Sequence, residues 1–126
     1  MDKLEYIPGD LVYIHGSLRI ISNCDGYYAT YYDENESLQE VNVNVIEGIP
    51  LTPEILQKNG WEPTTESLGH SFKNMKYPRF ALWSINDKWN FTIDGVMVCN
   101  TLSCLCYVHE LQHLLFGLNI NSEMEV

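Results

Sequence analysis

Positive charge is the first thing this sequence is short of. Its 126 residues carry 7 Lys and Arg against 17 Asp and Glu, a formal net charge of −10. The imbalance is concentrated in residues 1–54, where Asp2, Glu5, Asp10, Asp25, Asp33, Glu34, Glu36, Glu40, Glu47 and Glu54 face only Lys3 and Arg19. A field of that sign repels phosphate backbones, which are gripped by clustered Lys and Arg. The one basic segment is "FKNMKYPRF", with Lys73, Lys76 and Arg79 among aromatics, and so weak a signal gives no expectation of a nucleic-acid partner.

Other absences narrow the choice further. No apolar run reaches the ~18 residues that span a bilayer, so no membrane segment is expected. The opening "MDKLEYIPGD" lacks the apolar stretch of a secretion signal, which points to a cytoplasmic protein. Cys24, Cys99, Cys104 and Cys106 form no C-x-x-C pair and are expected to be reduced thiols. On a helix Cys104 and Cys106 would point about 200° apart, so one ion cannot take both. No Gly-rich phosphate loop, Ser–His or Cys–His pairing, internal repeat or low-complexity segment is visible.

What is present is the make-up of a folded domain: 45% hydrophobic and 12% aromatic residues. A chain of this length buries roughly 65% of its unfolded surface, enough for an independent core. Residues 9–46 read as short strands punctuated by turns: "DLVYI", "LRIIS", the turn "NCDG", "YYATYY", the acidic loop "DENES" and the partly alternating "QEVNVNVIEG". Such a series predicts a small SH3-like barrel or a curled meander. In "IPLTPEILQKNGW", Thr52 caps a short helix, Pro53 takes its first position, Glu54 sits at the positive end and Gly60 stops it. "EPTTESLGHSFKNMKYP" has no usable period and reads as a loop. "RFALWSI", a turn at "NDK" and "WNFTIDGVMV" make a hairpin, with Trp83, Trp89 and Phe91 as core. The last element is a helix over roughly residues 101 to 117. The expected architecture is α+β, with residues 1–50 as a barrel-like lobe. Residues 51–126 follow as helix, loop, hairpin and C-terminal helix, either a second lobe or part of one compact domain.

The chemically suggestive stretch is "YVHELQHLLFG", in which His109, Glu110 and His113 have the H-E-x-x-H spacing of helical zinc peptidases. A zinc-dependent hydrolase would use His109 and His113 as ligands and Glu110 as general base. The third ligand is not visible: Asn119 stands where a metzincin-like pattern needs histidine, Gly117 comes one place late, and the remaining candidates are Glu123 and Glu125 in the tail or a distant His15 or His70. At about 100° per residue, Cys104, Tyr107, Val108, Leu111, Leu114, Leu115 and Leu118 form an apolar stripe, with both histidines on the opposite face. Leu102, Leu105 and Phe116 lie beside them and are too apolar for a solvated surface, which suggests a second layer there, either the N-terminal lobe or a partner subunit. In "GYYATYY" one face carries Tyr27 and Tyr31, the other Tyr28 and Tyr32. Exposed Tyr28 and Tyr32 beside acidic "DENE" would receive a cationic or proline-rich peptide; packed under the acidic loop they would be structural.

The segments "GDLVYIHGSLRIIS", "IEGIPLTPEILQKNGW" and "YVHELQHLLFGL" together resemble a family of small proteins of prophages and mobile elements in gut anaerobes. The I-P-L-T-P-E-I-L-x-K-N-G segment is its most specific part. The resemblance implies an intracellular phage-type accessory protein and carries no activity with it. In similar sequences the counterpart of "VHELQH" often reads V-H-Q-L-Q-N, without the second histidine and the glutamate. The favoured expectation is therefore a non-catalytic interaction or assembly module, a homodimer through the far face of the last helix being one form. Its candidate surface is Leu102, Leu105, His109, His113, Phe116, Tyr28 and Tyr32, with no metal or cofactor. The alternatives are the zinc hydrolase and an acidic inhibitor or nucleic-acid mimic.

Overall fold

A computed structural model describes residues 6–64, 71–85, 88–94, 96–97 and 104–126. Among the described residues the fold is mixed α+β, with three antiparallel sheets and two α-helices. The chain divides into two compact units: residues 1–49 with 107–124, and residues 50–106 with 125–126.

The first unit starts with β1 (Leu11–Ile14), β2 (Ser17–Ile20), β3 (Asn23–Cys24), β4 (Tyr28–Tyr32) and β5 (Leu38–Asn42). A single 3-10 turn (Val43–Val45) and β6 (Ile46–Gly48) follow. These make two three-stranded sheets, ordered β2-β1-β6 and β3-β4-β5. Among the described residues they do not close into a barrel. Alternation places the core: Val12, Ile14, Ile21, Ala29, Tyr31 and Ile46 are buried together with Tyr6, and Cys24, Val41 and Val43 pack against them. The β1–β2 turn is as tight as "HGS" suggests, with His15 and Gly16 both at positive φ. The last helix, α2 (Val108–Gly117), also belongs to this unit and buries Val108, Leu111 and Leu115.

The second unit holds α1 (Pro53–Lys58), β7 (Trp61–Pro63), β8 (Ser71–Asn74), β9 (Phe80–Ile85), β10 (Lys88–Ile93), β11 (Val96–Met97) and β12 (Cys104–Leu105). Thr52 is the N-cap of α1, its hydroxyl accepting from the Ile55 N–H, and Pro53 begins the helix. The sheet runs β11-β10-β9-β8-β7, with β12 also pairing with β10. The hairpin forms with Phe91 opposite Leu82 and Trp89 opposite Ser84. Phe72, Leu82, Trp89 and Phe91 are buried, as are Leu56 inside α1 and Trp61 just beyond its C-terminal end; Trp83, expected in the core, is exposed.

Three expectations need correction. The stretch read as a loop contains β7 and β8, paired with Trp61 opposite Asn74 and Pro63 opposite Phe72. Pro63 fits because β7 is an edge strand, where a missing N–H leaves no ladder bond unmade. The last helix starts at Val108 rather than near residue 101, because Cys104 and Leu105 pair with Asn90 and Trp89 as a strand. Residues 98–103, including Leu102, lie outside the described residues. Finally, the apolar stripe does not set the rotation of α2 by itself, as its polar side chains show.

Candidate functional site

The H-E-x-x-H segment opens α2. Tyr107 is the N-cap, and the carboxylate of Glu110 accepts its backbone N–H at 2.9 Å. That closes one of the orphan donors of a helix N-terminus. Glu110 therefore caps its own helix end.

His109 is 2% exposed, not outward-facing. Its ring lies between Tyr6 (centroids 4.9 Å) and Tyr107 (5.7 Å, nearly parallel), and meets His113 edge-on at 5.6 Å. His113 is half-buried, and its Nε2 lies 2.7 Å from Oδ2 of Asp10. Asp10 is fully buried, and the same oxygen accepts the Ile7 N–H at 2.9 Å. Gln112 completes the group. Its Oε1 accepts from Leu11 N–H at 2.9 Å, while its Nε2 donates to the carbonyls of Gly9 (3.0 Å) and Ser122 (3.1 Å).

These contacts explain the rotation of α2. The amide of Gln112 engages the backbone of Leu11 and Gly9 on the β6 side, where the β1–β6 ladder ends at Val12 opposite Gly48, and so acts as a substitute strand. Satisfying those buried peptide groups draws the polar flank inward, and His109 is carried in beside it. Chemically the cluster is a clamp holding residues 7–11 to the helix. Among the described residues no group of three or more His, Cys, Asp and Glu is placed to hold a metal ion.

A second site lies on the outer side of the same unit. Leu18, Ile20, Tyr32 and Leu38 are 45%, 60%, 59% and 57% exposed. Strand alternation sends Ala29 and Tyr31 into the core, and so turns Tyr28 and Tyr32 outward. Leu38 stands opposite Tyr32 in the β4–β5 ladder. A groove of about 510 Å³ is lined by residues 18–22 and by Tyr32, Asp33 and Glu34. Arg19 crosses its wall, paired with Glu34 and lying 5.1 Å from the Tyr31 ring centroid. Asp33 is locked in the turn that follows β4: Oδ1 accepts the N–H groups of Asn35 and Ser37, and Oδ2 accepts from Gln39. The Ser37 N–H above all holds the Asp33 carboxyl below its ordinary range.

The predicted surface residues are thus dispersed. Tyr28 and Tyr32 are exposed, as is Phe116 on α2. His109 and Leu105 are both buried: His109 is carried in beside Gln112, and Leu105 lies in β12 of the second unit because the helix does not begin before residue 108. The residues that sequence reading passed over are Asp10 and Gln112 in the clamp, and Leu18 and Ile20 in the groove. The alternation in "SLRI" carried a signal for the last two, but it does not say which face is covered. Compared with protein-family models, with curated proteins and with solved structures, the chain matches none.

Proposed function

We propose that this protein is a non-catalytic protein-binding module, a cytoplasmic accessory protein of the prophage and mobile-element kind. Its contact surface is the outer side of the first unit. The observation behind this reading is the run of exposed apolar side chains, Leu18 and Ile20 on β2 and Tyr32 and Leu38 across β4 and β5, around a groove. Isolated exposed apolar residues are ordinary; a connected set beside a cavity is what interaction surfaces present.

A photo-crosslinking residue in place of Tyr32, with a second variant carrying it at exposed Lys58 of α1 as control, tests the proposal in cells. The expected result is a discrete crosslinked partner protein from position 32 alone. Equal crosslinking at both positions, or none at either, would overturn it.

A further inference from the structure

We infer that the groove beside β2 receives an extended, cationic peptide segment of a partner protein, its aliphatic side chains against Ile20 and Tyr32 and its Lys or Arg side chains toward Glu34 and Asp33. This rests on the protein-binding reading above and names the kind of partner.

The shape of the site comes from how two sheets part. The Ser22 N–H donates to the Thr30 carbonyl at 2.7 Å, joining the end of β2 to β4. Moving back along β2, the two strands belong to different sheets, β2-β1-β6 and β3-β4-β5. The groove occupies the wedge between them, with Leu18 and Ile20 on one wall and Tyr32 to Glu34 on the other. β2 is one of the two edge strands of its sheet among the described residues. The backbone of an edge strand is a template for one more strand, and alternate side chains of an added segment then fall on one side. A volume of about 510 Å³ suits a few side chains, not a folded surface.

Charge selects among extended segments. Between residues 6 and 49 there are seven acids, Asp10, Asp25, Asp33, Glu34, Glu36, Glu40 and Glu47, against Arg19 alone. Arg19 is already paired with Glu34 and lies over Tyr31, so it offers little to an incoming anion. Asp33 stays ionised because its turn hydrogen bonds favour the charged form. A second copy of a chain with net charge −10 is repelled from this surface, and so is an acidic peptide or a nucleic acid. The exposed faces of Tyr28 and Tyr32 add sites over which a Lys or Arg head group is attracted.

The test uses the full chain and two fluorescein-labelled hexapeptides, one alternating lysine with isoleucine, the other alternating glutamate with isoleucine. Fluorescence anisotropy should show the lysine peptide binding at least roughly tenfold tighter at low salt, the gap narrowing as salt screens it. Ile20→Ser should weaken the lysine peptide roughly tenfold. Glu34→Gln should weaken it roughly threefold, as one rim charge does. Both substituted side chains are largely exposed, and an unchanged thermal melt would confirm that each variant folds. Equal binding of the two peptides, or binding indifferent to Ile20→Ser, overturns the inference. If neither peptide binds while position 32 still crosslinks a partner, the peptide specificity is wrong and the protein-binding reading stands. If position 32 crosslinks nothing either, both fall.

Discussion

Asp10 and Gln112 are the two side chains whose loss should cost this fold most per atom removed. Asp10→Ala would leave the Ile7 N–H and His113 without their shared acceptor inside the unit. Gln112→Ala would strand the Leu11 N–H and the Gly9 carbonyl. A buried polar group deprived of its partner costs about 1–3 kcal/mol. Each variant should therefore lose about 2 kcal/mol or more in urea denaturation, and a loss below roughly 0.5 kcal/mol for Gln112→Ala would show that α2 is not clamped through its amide. Gly48 makes a steric counterpart. A Cβ there would sit 2.6 Å from Cδ1 and 2.7 Å from Cγ of Tyr107, at the root of the ring where rotation gives little relief. Gly48→Ala should cost about 1–3 kcal/mol as an overpacked site, whereas Gly117→Ala, with open space around it, should not. None of these residues announces itself in the sequence. Asp10 and Gly48 look like turn residues, and Gln112 like solvent-facing filler in a motif that draws attention to its histidines. What singles them out is a partner about a hundred residues away for Asp10 and Gln112, and no local periodicity reports a partner so distant.

At the scale of elements, the acidic turns are built by their carboxylates. Asp25 accepts the N–H groups of Tyr27 and Tyr28 ahead of β4, and Asp33 those of Asn35 and Ser37 after it. These bonds, Tyr28 first for Asp25 and Ser37 first for Asp33, lower both carboxyls below their ordinary 3.8. A carboxyl with a folded value below its unfolded one adds stability that is fully present above the unfolded value and is lost as pH falls through the folded one. Stability should accordingly decline below about pH 4, and the decline should be shallower in an Asp25→Asn, Asp33→Asn double variant, whose amide oxygens accept the same backbone N–H bonds without titrating. Parallel curves for the two proteins would refute the assignment. Local chemistry of this sort is what a sequence displays best. The Thr52 cap, the 80–93 hairpin and the alternation in "YATYY" were all legible, because each depends on neighbours in the chain or across one tight turn. β7 and β8 were not, since each is short and their pairing alone makes them strands. The start of α2 was hidden for a related reason. "CLCYV" suits helix and strand equally, and pairing of Cys104 and Leu105 with β10 decides for the strand. The two three-stranded sheets keep the order of elements read from residues 9–46, but their separation, and so the groove, depends on long-range pairing.

For the molecule as a whole, charge and exposed apolar surface oppose each other. A net charge of −10 at neutral pH keeps copies apart while Leu18, Ile20, Tyr32 and Leu38 invite contact. The balance should shift near the sequence pI of about 4.6, where repulsion vanishes. That pH lies above the range in which the Asp25 and Asp33 turns lose their hydrogen-bonded carboxylates, so the protein should meet itself still folded. Sedimentation velocity at pH 7 and near the pI should show association only at the lower pH, reversed on returning to pH 7. An Ile20→Ser, Leu38→Ser double variant should associate markedly less, because it removes the apolar surface without changing charge. Phe116→Asp should not reproduce that relief beyond the effect of its added charge, since Phe116 lies on α2 and outside the groove. If Phe116→Asp abolished association and the double variant left it intact, the sticky surface would be the exposed side of α2, and the β2 groove would lose its claim to be the main contact surface of this protein.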